Sequence, residues 1–358
     1  MSKYDIIIIG AGPAGSFAAY EINKLHPEKK VLMLDAGNTI SKRHCPIQGK
    51  NALCIKCKSC DVMYGFGGAG AFSDGKFNFT TAFGGWLNDY MSDDNVMDLI
   101  EYVDSINVAF GATEERFSTY TKEAKLLDRK ALEHDLHLLQ ASVKHLGTEK
   151  NLEILKRQFE YLNSRIEIKT SASVKKIINA KNRYEIVLED DEILSCDYLI
   201  AAPGRSGAEW FSSQCKELGI NMINNQVDIG VRIEVPARVF EHITDVVYEA
   251  KLVFRTKQYG DLVRTFCMNP YGHVVSENVD NCITVNGHSF SDESLRSENT
   301  NFALLVSNRF TEPFNEPYQY GKRIASLSNM LGGGVLVQRF GDLIKGDRKS
   351  TRLNSSHT

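Results

Sequence analysis

The sequence predicts an α/β fold, with a first domain on a parallel sheet and a second domain that is mostly antiparallel β. Three observations carry this. An unbroken apolar run, YDIIII at 4–9, leads into glycines, then helical spacing over 14–25, then a second apolar run, VLMLD at 31–35. That is a β-α-β unit of about 30 residues. From 226 to about 308 the pattern has period two, broken by Gly, Asn and Asp turns. The composition, 42% hydrophobic and 24% charged over 358 residues, is that of a globular chain long enough for more than one core.

The elements follow in order. Residues 4–9 lack alternation, which suits a strand buried on both faces. The helix over 14–25 is closed by Pro27. Residues 37–85 are Gly- and Cys-rich and too long for a plain connection; loops of that size usually carry function. Helices are expected at 93–110, 121–146 and 149–163. The first should bury Val96, Leu99, Ile100, Val103 and Phe110 and stop at Gly111. Residues 165–202 read as a β-meander, followed by a helix near 207–218. The segments DIGVRIEV, AKLVFRT, LVRTFCM, HVVSEN, CITVNGHS and FALLVS then supply the second domain. A helix over 318–331 ends at Gly332-Gly333-Gly334. The expected division is a first domain over 1–222, a second over 223–346 and a tail over 347–358. The tail, DRKSTRLNSSHT, has no apolar periodicity and reads as translated sequencing adapter. It is expected to be disordered, and the natural protein to continue past Gly346.

Charge and hydropathy exclude some classes. Lys+Arg 42 against Asp+Glu 45 gives −3, which advertises no polyphosphate surface and argues against a nucleic-acid partner. No run of about 18 apolar residues exists to span a membrane. The apolar stretch at the start is too short for a signal peptide, so a cytoplasmic protein is expected.

Gly10-Ala11-Gly12-Pro13-Ala14-Gly15 is a G-x-G-x-x-G that follows a strand and opens a helix, and Asp35 ends the next strand 20 residues after Gly15. Those are the surroundings a dinucleotide fingerprint requires, so the first domain is expected to be Rossmann-type. Gly10 allows the tight turn, Gly12 lets a pyrophosphate approach the backbone, and Gly15 lets helix and strand pack closely. Pro13 and Ala14 begin a helix whose free N–H groups suit phosphate. Asp35 is expected to accept hydrogen bonds from an adenosine ribose, which fits FAD or NAD. FAD is favoured by the N-terminal position of the fingerprint and by two later segments. DYLIAAPGR, 197–205, resembles the second signature of FAD enzymes, with Ala202 and Gly204 in its small-residue turn. SASVKKI, 171–177, resembles the segment whose valine, here Val174, meets the adenine. A core valine and a plain strand-to-helix turn are the rival readings of Val174 and Gly204.

Gly65, Gly67, Gly68, Gly70 and Gly75 fall within eleven residues. Such density is entropically costly and usually serves close approach to a ligand. Gly67, Gly68, Ala69, Gly70 and Ser73 are expected to line the FAD, with Lys76 supporting a negative flavin edge. Cys45, Cys54, Cys57 and Cys60 are spaced C-x8-C-x2-C-x2-C. Iron–sulfur binding, zinc, a redox disulfide and plain thiols are four open readings, in that order. Cys196, Cys215 and Cys267 read as core thiols.

On the segments YDIIIIGAGPAGSFAA, KRHCPI, YGFGGAGAFSDGK, AAPGRSG, GVRIEVP and RTFCMNPYGHVV, the chain resembles the FAD-dependent dehydrogenases of bacteria and archaea. These lie within the glutathione-reductase-like two-domain flavoproteins. The resemblance implies an FAD-binding Rossmann-type domain plus a substrate domain, and adds Arg43 of KRHCPI to the cofactor residues. It also implies a late Gly-Asp closing the FAD site, which neither Gly260-Asp261 nor Gly341-Asp342 supplies. The implied activity is an FAD-dependent oxidoreductase passing hydride through flavin N5 to or from a small organic substrate, with NAD(P)H as an optional co-substrate. An NAD-only dehydrogenase and a flavin/thiol redox sensor or electron carrier are the alternatives, the last needing an electron-transfer partner.

Candidate substrate contacts are Arg232, Arg264, Cys267, Asn269, His273, Asn286 and His288. Arginine favours an anionic substrate. Arg264, Cys267 and His288 are the catalytic candidates, His288 as a proton donor. His145 is expected at a helix C-terminus, favoured by the dipole.

Overall fold

In the strand Ser2–Ile9, Ile7 and Ile9 enter one core cluster while Ile8 and Ile6 enter another on the opposite face. This is what an uninterrupted apolar run requires of a pleated strand. The computed structural model describes every residue except Met1, Gly49, Asn51, Glu312, Asn315, 347–351 and 354–358. Around Ser2–Ile9 it builds a six-stranded sheet in the order Glu167–Lys169, Val31–Leu34, Ser2–Ile9, Ile193–Ala201, Arg183–Leu188, Val174–Ala180. The first four strands are parallel and the last two antiparallel. Ile9 pairs with Leu34 on one side and Ala201 on the other, so Gly10, Asp35 and Ala202 emerge at one carboxyl edge. In α/β sheets that edge is where ligands bind. The helices Pro13–Leu25 and Thr148–Asn163 cover one face through Ala19, Leu155, Phe159 and Leu162. Ala208–Glu217 brings Trp210 to the other.

Three expectations need correction. Only part of 165–202 is a meander: Glu167–Lys169 crosses to the far edge and pairs parallel with Val31–Leu34. The helix expected over 121–146 stops early, as Lys122–Leu132, and is followed by strands Leu136–Leu138 and Ser142–His145. DLHL and SVKH alternate, and strand partners elsewhere in the chain override the local helical reading. In Asp93–Ala109, Leu99 and Val103 are exposed. The helix instead buries Val96, Asp104, Ile106 and Asn107, because Asp104 turns inward to meet Lys144.

The second sheet is antiparallel, in the order Val227–Pro236, Asn299–Asn308, Leu262–Asn269, Leu252–Arg255, Leu136–Leu138. Its last strand comes from within the first 222 residues. The hairpin His273–Val279 with Cys282–His288 packs beside it. A three-stranded sheet of Lys76–Phe79, Ser142–His145 and Phe117–Ser118 connects the glycine-rich loop to this region. The helix Pro317–Gly332 ends at Gly333 in the left-handed conformation, φ 63°. Of the tail, only Arg352–Leu353 is described, as a strand beside Leu336–Val337; the rest of that expectation lies outside the described residues. Among the described residues no helix is long and apolar enough to cross a membrane.

A Cβ on Gly15 would lie 1.9 Å from the Gly10 carbonyl oxygen, whereas one on Gly70 meets nothing within 4 Å. Gly15→Ala should therefore lower stability by about 3 kcal/mol or more, and Gly70→Ala by under about 0.5 kcal/mol. Urea denaturation of the two variants reads the difference.

Candidate functional site

The fingerprint loop is built by close backbone approach. Gly10 has φ +101°, and a Cβ there would stand 2.1 Å from the Ala202 oxygen. The turn and the second signature therefore touch directly, and the Ala202 N–H donates to Ile9 O at 2.7 Å. Gly12 caps the helix Pro13–Leu25 without any side-chain hydrogen bond, and Pro13 and Ala14 are exposed. That helix start has no acidic residue in its first turn, which leaves its positive end open to an anion. The glycine-rich loop lies against it: Gly67 N–H donates to Ala11 O at 2.8 Å, and a Cβ on Gly68 would be 3.0 Å from Gly12 Cα. Gly70 and Gly204 (φ +65°) have no atom within 4 Å of a Cβ position, and Ala69 is exposed. Open helix N-terminus, open glycines and exposed rim together form a cradle of the kind a pyrophosphate fits.

Two charged residues hold this cradle. Asp35 Oδ2 accepts from Ala11 N–H at 2.8 Å, and Oδ1 accepts from Gly37 and Gly65 N–H, both at 2.8 Å. A carboxylate has about four acceptor positions, and the fold uses three of them. Arg43 is nearly fully buried and donates to the carbonyls of Asp61, Val62, Phe66 and Gly68 at 2.6–3.1 Å. Burial pulls its guanidinium down to about 10. Arg43, expected at the cofactor, shapes the loop here: each of its nitrogens donates to backbone oxygen. Ser73 Oγ likewise donates to Gly70 O at 2.7 Å, and Val174 packs half-buried on the sheet core.

A second cluster lies where the loop meets the antiparallel sheet. Lys76, expected at the flavin, is buried against Asp74 at 3.0 Å and Glu249 at 2.9 Å. Burial alone would lower its pKa, but the two carboxylates outweigh this and hold it charged. Lys251 is buried between the rings of Phe83 and Phe266, with Glu249 3.9 Å away; burial draws it down to about 8. Cys267, read as a core thiol, is partly exposed at a β-bulge, with φ +48°. Left-handed non-glycine residues at bulges mark sites where the chain re-aims a group. Here the Cys267 carbonyl accepts from Arg232 Nη2 at 2.8 Å and from Asn269 Nδ2 at 2.7 Å.

The remaining candidates divide. Arg232, Cys267, Asn269 and Asn286 come together. Arg264 instead pairs with Asp228 at 2.6 Å. His273 gives its ring to Leu295 O. His288 is buried beside Thr148 and Phe290, and burial, with His273 next, brings it down to about 4. At neutral pH its ring is therefore uncharged. His145 ends a strand rather than a helix. It stacks on Tyr248 and shares hydrogen bonds with Tyr248 Oη at 2.8 Å and Ser289 Oγ at 3.0 Å. Sequence reasoning missed Glu249, Lys251, Tyr248 and Asn301. The visible signal was Glu249 and Lys251, two charges just before the apolar strand Leu252–Arg255.

Cys45, Cys54, Cys57 and Cys60 are partly exposed and free. Among the described residues no group of three or more His, Cys, Asp or Glu is placed to hold a metal ion. The iron–sulfur and zinc expectations therefore gain no ligand set, although the Cys45 thiol, raised first by burial, lies within electrostatic range of Cys60, Cys54 and Cys57.

No protein-family model matches the chain. A protein of Clostridium beijerinckii, described as an uncharacterized protein, is 26% identical over 370 residues, covering 97% of this chain and 61% of its own length. This chain thus spans about three fifths of that relative. Among solved structures, L-amino acid deaminase from Proteus vulgaris aligns over 91% of this chain and 66% of its own at 8% identity, with a TM-score of 0.43. Tetracycline destructase Tet(55) aligns over 92% and 63% at 9% identity, with a TM-score of 0.39. Likeness at that level carries no argument about fold or chemistry.

The half-buried His145 and the buried His288 set a pH dependence. Unfolded, they titrate near 6.5. Folded, His145 titrates at about 3 and His288 at about 4, both lowered first by burial. The unfolded chain thus binds protons that the folded chain refuses as pH falls below about 6.5. Stability is whole above that value and declines toward pH 4, by up to about 1.4 kcal/mol per pH unit per histidine. His145→Phe should flatten this slope by about one proton relative to wild type, measured by urea unfolding at pH 7, 6 and 5.

Proposed function

We propose that the protein is an FAD-dependent oxidoreductase acting on a small organic molecule held between the glycine-rich loop and the antiparallel sheet. The observation that carries this is the uncapped, exposed start of the helix Pro13–Leu25, facing Gly68 and the open Gly70 and Gly204 at the carboxyl edge of the sheet. Glycine at Gly12 and Gly70, where no neighbouring atom would clash with a Cβ, suits close approach of a ligand. FAD is preferred over NAD alone because the turn after Ile193–Ala201 and the whole glycine-rich loop join the same cradle.

The residues divide the work. Gly12, Ala14 and Gly15 would present N–H groups to the pyrophosphate, and the remaining acceptor position of Asp35 would take a ribose hydroxyl. Bound there, FAD supplies two-electron chemistry, exchanging a hydride at its N5. Lys76, Asp74 and Glu249 keep a fixed field of charge beneath the substrate side, and their burial excludes water from it. The partly exposed face of Arg232, Cys267 and Asn286 is where substrate would be oriented.

A Cβ on Gly12 makes only ordinary contact, 3.7 Å from Gly68 Cα, so the fold tolerates alanine there. The purified protein should show flavin absorption. Gly12→Ala should retain FAD at least about tenfold more weakly, with an unchanged urea midpoint. Equal FAD retention in wild type and Gly12→Ala, by absorption after gel filtration, would sink the reading.

A further inference from the structure

We propose that Arg232 anchors a carboxylate of the substrate, which makes the substrate a small monocarboxylic acid. This rests on the reading of the site as that of an oxidoreductase for a small molecule. Arg232 lies on Val227–Pro236, and its Nε donates to Asn301 Oδ1 at 2.8 Å and its Nη2 to Cys267 O at 2.8 Å. Nη1 has only Asn286 Oδ1, at 3.5 Å. All three acceptors are neutral. Five N–H bonds radiate from a guanidinium, so part of this fork is unspent.

The charges around it are otherwise matched. Lys76 pairs with Asp74 and Glu249, Arg264 with Asp228, and Arg205 with Glu277. Among the described residues Arg232 has no carboxylate in ion-pair range. Asp74 and Glu277 are the carboxylates that act on Arg232 from a distance, and each is already paired; counted together, Lys76, Lys251, Arg205 and Arg232 stand against Asp74, Glu249 and Glu277, four cations against three anions, with no ion-pair partner at Arg232. A largely buried cation without a counter-ion is costly unless an anion joins it. One surplus charge suits a monoanion; a phosphate dianion would leave the cluster net negative beside Asp74 and Glu277.

The surroundings are shaped to keep the guanidinium in place. A Cβ on Gly287 would lie 2.0 Å from Arg232 Nη2 and 2.2 Å from Asn301 Oδ1, so only glycine leaves room. The left-handed Cys267 gives its carbonyl to the same guanidinium. Asn286 Nδ2 donates to Glu277 Oε1 at 2.8 Å, and Glu277 pairs with Arg205, next to the open Gly204. A polar path therefore runs from the cradle to Arg232. The planar fork matches a carboxylate in two-point contact, which a lysine cannot reproduce.

The test titrates the full chain calorimetrically with propionate, propionamide and inorganic phosphate. Propionate should bind, while the neutral propionamide and the phosphate should bind at least tenfold more weakly. Arg232→Gln should weaken propionate at least tenfold, and Arg232→Lys should restore less than half of that loss. A readout on the wild-type chain avoids any folding defect of the variants: propionate should slow phenylglyoxal labelling of Arg232, followed by mass spectrometry, and leave Arg264 unchanged. Unprotected Arg232, or propionate binding untouched by Arg232→Gln, overturns the proposal. Carboxylate binding is read without flavin, so failure of FAD retention would count against the oxidoreductase reading and leave this result standing.

Discussion

Three loops that are far apart in sequence converge on the carboxylate of Asp35. Ala11 belongs to the fingerprint, Gly37 to the turn after the second strand, and Gly65 to the glycine-rich loop, and each gives its N–H to that one group. Hydrogen bonds to a charged acceptor are roughly twice as strong as neutral ones. The position of the cradle depends on this contact, because the glycine-rich loop has little regular structure of its own to hold it. Arg43 completes the arrangement with the opposite polarity, collecting carbonyls where Asp35 collects N–H groups. One anion and one cation thus satisfy backbone groups that a loop buried against the sheet would otherwise leave bare.

The second constraint is the buried charge beneath the antiparallel sheet. Lys76, Asp74 and Glu249 are almost without solvent contact, and such ion pairs add little net stability. Their loss is costly all the same, since removing one partner strands the other. What they supply is geometry: Lys76 ties the end of the glycine-rich loop to the strand Leu262–Asn269 through Met268 O, and so fixes the cradle relative to the sheet. The stacked His145 and Tyr248, with Ser289, close the same junction from the hairpin side.

Much of the fold was legible. Four isoleucines before glycines announce a buried parallel strand, and the strand is there with both faces packed. The alternation over 226–308 announces antiparallel strands, and each segment forms one. The failures share a cause. Residues 136–145 carry a helix-compatible composition, yet their partners are Leu252–Phe254 and Lys76–Phe79, which no local window contains. Glu167–Lys169 sits next to Val174–Ala180 in sequence order, yet the two strands form opposite edges of the sheet.

For the site, sequence determined which backbone positions must be glycine, because φ +101° at Gly10 and a 1.9 Å approach at Gly15 exclude any side chain. It also marked Asp35 as the polar group at the end of the second strand. It could not decide what Asp35, Arg43, Lys76 and His288 touch. A carboxylate reads the same whether it faces a ribose or three backbone N–H groups, and a lysine the same whether it faces solvent or two buried acids. Burial and partner choice are properties of chain segments brought together by folding. Only the tertiary structure sets the dielectric and the charges around each group, and so its protonation, its partners and its use.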